Sequence, residues 1–358
     1  MKNDYRVLET LYKPNYWKAL YKHPLFGYII LSLLLIGLQL TFMFTDGIIS
    51  LTVSRAIATT MIYAVAAMGL GILLGLAGLV SLGTAAFVGL GAYIAGNLLR
   101  SYMLPYTVII LVVAVVAVVL GIVIGFVSLR VKGLNLLVIT LAFAAILNEL
   151  FMSPNNFTGG PNGISRIPFP EIAMFISLNR ETVFFLVTVV LFLLIVLTLN
   201  IINSPTGRAM MAMANSESLA QAMGVRILKY RVLAFVIATV YAMVSGVLFI
   251  SLLTAASPVS WSLTLSLNIL TAVILGGTAK PAGVIIGCFI IFGLDLAILR
   301  NIPFFIQFPM ASAVFSGILI IVIVAKYPGG LMKFMNDITR GIKKLFTRWR
   351  EYRYGPEV

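Results

Sequence analysis

Few side chains in this sequence could act as acids, nucleophiles or metal ligands. The single histidine, His23, lies in a basic N-terminal segment without a second ligand nearby, and the single cysteine, Cys288, lies in an apolar run. Catalytic and metal sites need several such groups brought together. The sequence therefore favours neither a hydrolase nor a metalloenzyme, we expect no metal site, and one cysteine cannot form a disulfide within the chain.

Active transport needs a source of energy, and the sequence contains few residues that could supply it through ATP hydrolysis or ion coupling. The phosphate cradle Gly-x-x-x-x-Gly-Lys-Ser/Thr is missing, so we expect no ATP hydrolysis by this chain and no bound cofactor. Ion-coupled transport relies on ionisable groups inside apolar runs, and the candidates are Glu149, Asp295 and Arg55. All three lie near the ends of runs, which favours interfacial or capping charges over a proton relay.

Long apolar runs are the elements that must carry these residues. Of the 358 residues, 61% are hydrophobic and 10% are charged, and about 20 apolar residues cross a hydrocarbon core of about 30 Å as a helix. The sequence predicts an all-α polytopic membrane protein of about ten transmembrane helices. The predicted runs are 25–44, 57–74, 82–99, 106–128, 134–152, 182–202, 232–254, 262–278, 283–299 and 309–325. Glycine and proline interrupt the third, eighth and ninth runs, where a short re-entrant piece could replace a full crossing.

Charge predicts the orientation of these runs, because Lys and Arg accumulate in short cytoplasmic loops. The segments 1–24 and 326–358 are both basic, so we expect them in the cytoplasm, on either side of a permease domain at 25–325. An even number of crossings follows, and ten satisfies this requirement. The basic N-terminus precedes a long apolar run rather than a short one with a cleavage site, so it is not read as a secretory signal.

The same count assigns the long connections to the two sides of a prokaryotic plasma (inner) membrane. Arg130 and Lys132 fall on the cytoplasmic side, the loop 153–181 is extracytoplasmic, and the stretch 204–231 is cytoplasmic. The net charge of +14 comes from residues beside crossings. Orientation and anionic lipid headgroups account for it, so we do not expect nucleic-acid binding.

The stretch SPTGRAMMAMANSESLAQAMGVRILKYR, residues 204–231, is unusual for the interior of this chain because it mixes charge with small residues. Ser204 predicts a helix N-cap with Pro205 at the first helical position. Polar residues interrupt the apolar spacing in the middle, so a second short helix is expected to begin near Asn215 or Ser216.

The predicted second helix has clear signals at both ends. Glu217 lies in its first turn, where the helix dipole favours an anion, and Gly224 can adopt the left-handed conformation that ends a helix. A pair of short helices is thus expected at the cytoplasmic face. Its methionine and small side chains suit docking into the groove of a partner.

Glycines crowd the segment 69–96, and Gly71 and Gly75 share one helix face. Such spacing allows close packing of helices; the alternative is a broken helix that borders a transport pathway. Turn residues also crowd the loop 153–170, which predicts either a docking or gating surface or a solvated loop. The pathway candidates are Ser81, Gly83, Thr84, Gly89, Thr158, Gly159, Gly160 and Asn162. The segment GGTAKPAG at 276–283 predicts a tight turn between antiparallel helices.

The stretch 204–231 and the residues that follow it resemble the cytoplasmic coupling loop of ABC importer permeases, specifically the branched-chain amino-acid permease family of the Liv M type. Further segments are similar to the family in the same order, so that the resemblance covers about residues 57–331. These segments are GLVSLGTAAFVGLGAYIAG (78–96), GLNLLVITLAFAAI (133–146), TGGPNGI (158–164), LTLSLNILTAVILGGTAKPAGVIIGC (263–288) and YPGGL (327–331).

The resemblance implies a permease subunit for branched-chain or other hydrophobic amino acids. Its implied partners are a second homologous permease subunit, two cytoplasmic ABC ATPase subunits that use ATP and Mg, and an extracytoplasmic substrate-binding protein. The residues that match the ATPase-coupling loop are Arg208, Glu217, Ser218, Ala220 and Gly224. The sequence departs from the family at Thr84, often histidine, and at Ala145, often an acid, so the cargo is less defined than the architecture.

Other functions remain open at this stage. The cargo could instead be urea or a short amide, or a nucleoside or simple sugar. A self-contained secondary transporter or channel would work without ATPase subunits and would depend on Glu149 or Asp295. A membrane scaffold would not need a capped pair of cytoplasmic helices.

Overall fold

The computed structural model describes residues 25–44, 48–102, 104–129, 134–154, 157–169, 171–172, 176–177, 182–278 and 280–298, with isolated positions beyond. The α-helices are α1 (Leu25–Phe44), α2 (Ile48–Gly75), α3 (Thr84–Tyr102), α4 (Tyr106–Leu129), α5 (Leu134–Met152), α6 (Thr182–Asn203), α7 (Pro205–Asn215), α8 (Glu217–Ala222), α9 (Ile227–Leu253), α10 (Leu263–Gly276) and α11 (Pro281–Cys288), which continues as a π-helix at Phe289–Ile298. Short 3₁₀ turns lie at Gly160–Asn162 and Pro258–Trp261, and β1 (Glu171–Ile172) pairs antiparallel with β2 (Ile176–Ser177).

Five of these helices are long and apolar enough to cross a membrane, namely Val53–Gly75 of α2, α4, Asn135–Met152 of α5, α6 and α9. Shorter apolar helices lie at Gly27–Thr41, Leu263–Gly276 and Pro281–Leu294. The protein is therefore an all-helical, multi-pass membrane protein. Ten crossings stay a prediction, because most of the run 309–325 lies outside the described residues, as do the segments 1–24 and 326–358 and the basic residues Arg130 and Lys132.

Helix α2 begins before the start of the second predicted run. A start near residue 57 was expected from hydropathy, but α2 begins at Ile48 and spans 28 residues. Its first turns contain serine, threonine and Arg55, which lower hydropathy without breaking a helix. Arg55 consequently lies inside α2 with an exposed side chain, rather than at the edge of the helix.

Helix α9 is the centre of the packed core, buried along most of its length against α2, α3 and α4. The contact with α4 is close because glycines face it. A Cβ added at Gly121 would lie 2.6 Å from the Cα of Val236, and one at Gly125 would lie 2.8 Å from the Cα of Val232. With no side chain at either position, the two backbones pack directly on each other.

The segment 276–283 forms the predicted tight turn between α10 and α11. Gly276 packs against the carbonyl of Gly283, and Gly287 packs against the carbonyl of Ala272. Helices joined by so short a connection run antiparallel, and the absence of side chains at these glycines brings the pair into backbone contact. The prediction for this turn is confirmed.

The connections between helices gather at two opposite ends of the molecule. At one end the segment after α2 approaches α7, since a Cβ on Gly78 would lie 3.1 Å from the Cβ of Ala214. The turn after α10 reaches the same end, where Thr278 contacts Gly75. These are the connections that the charge pattern assigns to the cytoplasmic side.

The opposite end holds the loops assigned to the extracytoplasmic side. The side-chain amide of Asn97 donates a hydrogen bond of 2.6 Å to the carbonyl of Phe157. Ile164 and Ala256 form an antiparallel bridge with N···O distances of 2.9 and 2.8 Å. The described chain is thus arranged with its predicted inner and outer connections on separate ends.

Candidate functional site

The candidate coupling pair, α7 and α8, begins with a side-chain cap. Ser204 Oγ accepts a hydrogen bond from the backbone N–H of Gly207 at 3.2 Å, and Pro205 occupies the first helical position. Gly207 packs against the carbonyl of Ile201, so the chain turns sharply out of α6. The cap satisfies an N–H that has no partner inside the helix, and the predicted start is confirmed.

Helix α8 starts and stops where the sequence predicts. The N–H of Ser216 closes α7 on the carbonyl of Ala212 at 3.1 Å, and its Oγ accepts from the N–H of Leu219 at 3.4 Å to open α8. At the other end Gly224 has φ +82°, and the N–H of Val225 bonds to the carbonyl of Ala220 at 2.9 Å. A left-handed residue followed by this long backward bond is typical of glycine helix ends.

The two faces of the coupling pair differ in character. Met210, Met213 and Ala220 are buried against the membrane helices. Leu219 and Met223 point away, with 69% and 85% of their surfaces exposed. Leu219 and Met223 lie four positions apart, so they share one side of this short segment.

The predicted coupling residues fall on both faces of this pair. Ala220 is buried, whereas Arg208, Ser218 and Gly224 are exposed. Arg208 donates from Nη1 to the carbonyl of Asn203 at 3.0 Å, which holds the side chain against the end of α6. Leu219 and Met223 were not named among the coupling residues, although helical spacing places Leu219 two positions, roughly 200°, from Glu217 and therefore on the opposite side of α8.

An ion pair joins α8 to the core. Glu217 pairs through Oε1 with Nη2 of Arg231 in the first turns of α9. Arg231 is only 4% exposed, and its Nη1 donates to the carbonyl of Ser128 at 3.3 Å. The sequence analysis missed this partner because 14 residues separate the two side chains and a glycine turn lies between them.

A second cluster surrounds the interruption between α2 and α3. Residues 76–83 are not helical, and the N-terminus of α3 lies inside the protein. The N–H of Leu82 donates to Thr140 Oγ1 on α5 at 3.0 Å, and the N–H of Ala85 donates to Ser266 Oγ on α10 at 3.0 Å. Gly83 donates to Ser81 Oγ at 3.2 Å. Hydroxyls from three elements thus replace the water that would solvate a helix start outside a membrane.

Ser81, Gly83 and Thr84 lie buried at this interruption between α2 and α3, which we call the broken helix. The sequence analysis missed Thr140 and Ser266, since neither lies near the break in the chain. Only the polarity of single hydroxyls within apolar helices signalled them, and such hydroxyls usually bond within their own helix. Whether this cluster borders the transport pathway stays a prediction.

Gly89 is placed by aromatic packing. A Cβ at this position would lie 2.6 Å from Trp261 Cγ and 3.0 Å from Phe151 Cε2. Phe151 in turn packs against Tyr93 in a tilted arrangement, with ring centroids 4.8 Å apart and an angle of 40° between the rings. Close packing accounts for the glycine at this position. Of the two interpretations of the glycine-rich segment, Gly89 therefore fits close helix packing.

The outer pathway candidates lie on a loop held by hydrogen bonds. Thr158 is fully buried and donates to the carbonyl of Ser153 at 3.3 Å, and it also accepts from the N–H of Gly160 at 3.3 Å. Gly159 and Gly160 both have positive φ, +71° and +62°. Asn162 is exposed, so it is the side chain among these four that can reach a partner outside the membrane.

Ion-coupling and metal sites find little support among the described residues. Glu149 is exposed at the end of α5, and the side chain of Asp295 lies outside the described residues. No group of three or more His, Cys, Asp or Glu side chains is close enough to hold a metal within the described part of the chain. An apolar cavity of about 390 Å³ between α1, α2, α6 and α11 is lined almost wholly by aliphatic side chains, so it lacks polar groups to orient an amino acid.

Comparison with known proteins identifies the family. The profile described as "Branched-chain amino acid transport system / permease component" matches residues 52–324. The high-affinity branched-chain amino acid transport system permease protein LivM of Escherichia coli is 30% identical over 286 residues, 73% of this chain and 66% of the relative. Its counterpart in Salmonella typhimurium is 32% identical over 283 residues, 72% of this chain and 65% of the relative.

An archaeal relative is similar over a shorter stretch. The probable branched-chain amino acid transport permease protein LivM of Methanocaldococcus jannaschii is 31% identical over 204 residues, 53% of this chain and 57% of the relative. This chain thus spans just under two thirds of the length of the two bacterial relatives. No solved structure matches it. The matched profile covers the broken helix, the coupling pair and α9 together, and the chain belongs to the family of branched-chain amino acid transport system permease components.

Proposed function

We propose that this protein is a membrane-spanning subunit of an ATP-driven importer for branched-chain or other hydrophobic amino acids. The observation that carries the proposal is the capped pair α7–α8, which projects Leu219 and Met223 away from a bundle of apolar helices. The family match supports the same role.

Energy in this proposal comes from partner subunits. Two cytoplasmic ABC ATPases bind ATP and Mg, and a groove on one of them receives α8, with Leu219 and Met223 as the apolar contacts. A second homologous permease subunit completes the membrane pathway, and an extracytoplasmic substrate-binding protein delivers the cargo. Both termini and the stretch 204–231 face the cytoplasm, and the loop 153–181 faces the binding protein.

The coupling pair then transmits the movement of the ATPase subunits to the membrane helices. Closure of the two ATPase subunits on ATP pulls α7 and α8, whose buried methionines Met210 and Met213 pack on the core. Packed interfaces of this kind switch between discrete arrangements rather than deform. The membrane halves rock between outward-facing and inward-facing states, and specificity resides mostly in the binding protein.

Reconstitution in liposomes tests the proposal. The tagged chain is purified in mild detergent with its co-purifying subunits, and uptake of labelled leucine, isoleucine and valine is measured with and without ATP. We expect uptake that requires ATP, an ATPase subunit and the binding protein, with competition among the three amino acids. Uptake by the chain alone without ATP would overturn the proposal, and competition by urea, a nucleoside or a sugar instead would reassign the cargo.

A further inference from the structure

We propose that Arg231 is a positioning residue that fixes α8 to the α4–α9 pair, and that Glu217 acts through Arg231 rather than by touching an ATPase subunit. The inference rests on the proposed function, because it concerns how the pull on α8 reaches the membrane helices. The family resemblance placed Glu217 in the ATPase cleft, whereas its carboxylate already has a partner in this chain.

Burial makes the position of Arg231 costly unless its charge is satisfied. With only 4% of its surface exposed, the guanidinium loses most of its hydration, and an unpaired buried charge is strongly unfavourable. Nη2 pairs with Glu217, Nη1 donates to the Ser128 carbonyl at 3.3 Å, and Nε has no partner among the described residues. Removing Glu217 therefore leaves a buried cation, so the pair holds α8 in place.

The Ser128 carbonyl ties this pair to a second helix. Ser128 lies in the last turn of α4, where carbonyls lack helical donors and carry the negative end of the helix dipole. One guanidinium thus bridges the start of α9, the end of α4 and the first turn of α8. Because Gly121 and Gly125 bring α4 and α9 into backbone contact, these two helices move as one body.

Helix α8 needs such a tie because it is short and its flanks are not helical. It has six residues, preceded by Ser216 in an extended conformation and followed by Gly224 at φ +82°. Among the side chains of α8, Ala220 is buried in the core. Without the ion pair, both flanks can act as hinges, and α8 can follow the ATPase without moving α9.

A double-mutant cycle on the reconstituted complex tests the inference. The measured quantity is the number of ATP molecules hydrolysed per amino acid imported, for Glu217→Gln, Arg231→Gln and the double variant. We expect each single substitution to raise this ratio about fivefold or more, the lower range of a coupling free energy between sites. The double variant should show no larger effect than Arg231→Gln, because both substitutions remove the same contact.

The control is Arg226→Gln, which makes the same charge change at an exposed position of the same connection. This variant should leave the ratio unchanged. A purely structural role for Arg231 would lower the melting temperature and the amount of assembled complex without changing the ratio, so both are measured alongside. If Arg231→Gln does not assemble, Glu217→Gln, with 39% of its side chain exposed, decides the question by the same ratio.

Two results would overturn the inference alone. An unchanged ratio in Arg231→Gln, or in Glu217→Gln where only that variant assembles, would show that the contact carries no coupling. Effects that multiply in the double variant would show that Glu217 has a separate partner, as expected for contact with an ATPase subunit. A wild-type complex without ATP-driven uptake would instead overturn the proposed function, and the inference with it.

Discussion

The coupling pair and the start of α3 are both capped by hydroxyl groups, but the hydroxyls come from different places. In the coupling pair, Ser204 and Ser216 cap the helices that directly follow them. At the broken helix, the N–H groups of Leu82 and Ala85 depend on Thr140 and Ser266, which lie 58 and 181 residues away. A cap near solvent can be local because water substitutes for it, whereas a helix start inside the bundle must find its acceptors in neighbouring helices.

The largest loss of stability is expected from substitutions at the broken helix. Thr140→Val and Ser266→Ala each leave a backbone N–H without its acceptor, part-buried at Leu82 and buried at Ala85, at a cost of about 2 kcal/mol apiece. The two acceptors lie on different helices and serve different N–H groups, so the costs should add in the double variant. Thermal unfolding of the purified protein in detergent measures them.

Matched controls separate this effect from the loss of a hydroxyl as such. Thr271→Val and Thr239→Val remove hydroxyls that bond to carbonyls of their own helices. Those carbonyls keep their helical partners, so we expect much smaller changes in melting temperature. Equal losses in the controls and in the test variants would show that the broken helix is not held by these two acceptors.

The second-largest energetic cost is expected from a substitution at Gly224, the left-handed residue that ends α8. Gly224→Val places a β-branched residue at φ +82°, which costs about 1–2 kcal/mol. The space around this glycine is open, so the cost is conformational and the core is untouched. We expect normal membrane insertion, at most a small fall in melting temperature, and more ATP hydrolysed per amino acid imported. Gly224→Asn, which tolerates this conformation, should retain coupling, and normal uptake by Gly224→Val would contradict the role of α8.

The local cap of α8 should give a smaller effect. Ser216→Ala removes the acceptor for the N–H of Leu219, worth about 1 kcal/mol, but water can reach the freed group. Import should fall modestly while the melting temperature stays unchanged, and Ser216→Gly should retain more activity. Gln221→Ala, at an exposed position of the same helix, is the control. If Ser216→Ala lowered the melting temperature as much as Ser266→Ala, the local cap and the distant acceptor would be equally important for stability, which would contradict this prediction.

The smallest change in stability is expected from substitution of Met223, on the exposed apolar side of the coupling pair. Met223→Ser changes a side chain that is 85% exposed, so the stability of the isolated chain should not change measurably. Its affinity for the ATPase subunit should fall, which titration of the purified ATPase against the reconstituted permease measures. Ala222→Ser, on the same short helix, is the control, and equal affinities for both variants would remove Met223 from the docking surface.

Local signals explain which parts of the fold could be predicted. Apolar runs located most helices, and caps at Ser204, Ser216 and Gly224 defined α7 and α8 closely. Hydropathy misplaced the start of α2, because a helix continues through polar residues that no longer look like a membrane span. The break at Ser81 and Gly83 was one of two interpretations of the glycine-rich segment, and its hydrogen-bond partners Thr140 and Ser266 were not predicted.

The sequence by itself determined that the chain crosses the membrane several times and that the helices α7 and α8 are capped at Ser204, Ser216 and Gly224. Each of these depends on residues close together in the chain or on composition. Tertiary structure alone decided that Glu217 pairs with Arg231, that Thr140 and Ser266 serve the broken helix, and that Gly89 faces Trp261. Inside a membrane, polar groups must be satisfied by whichever helices pack beside them, and that choice is made by packing between distant segments.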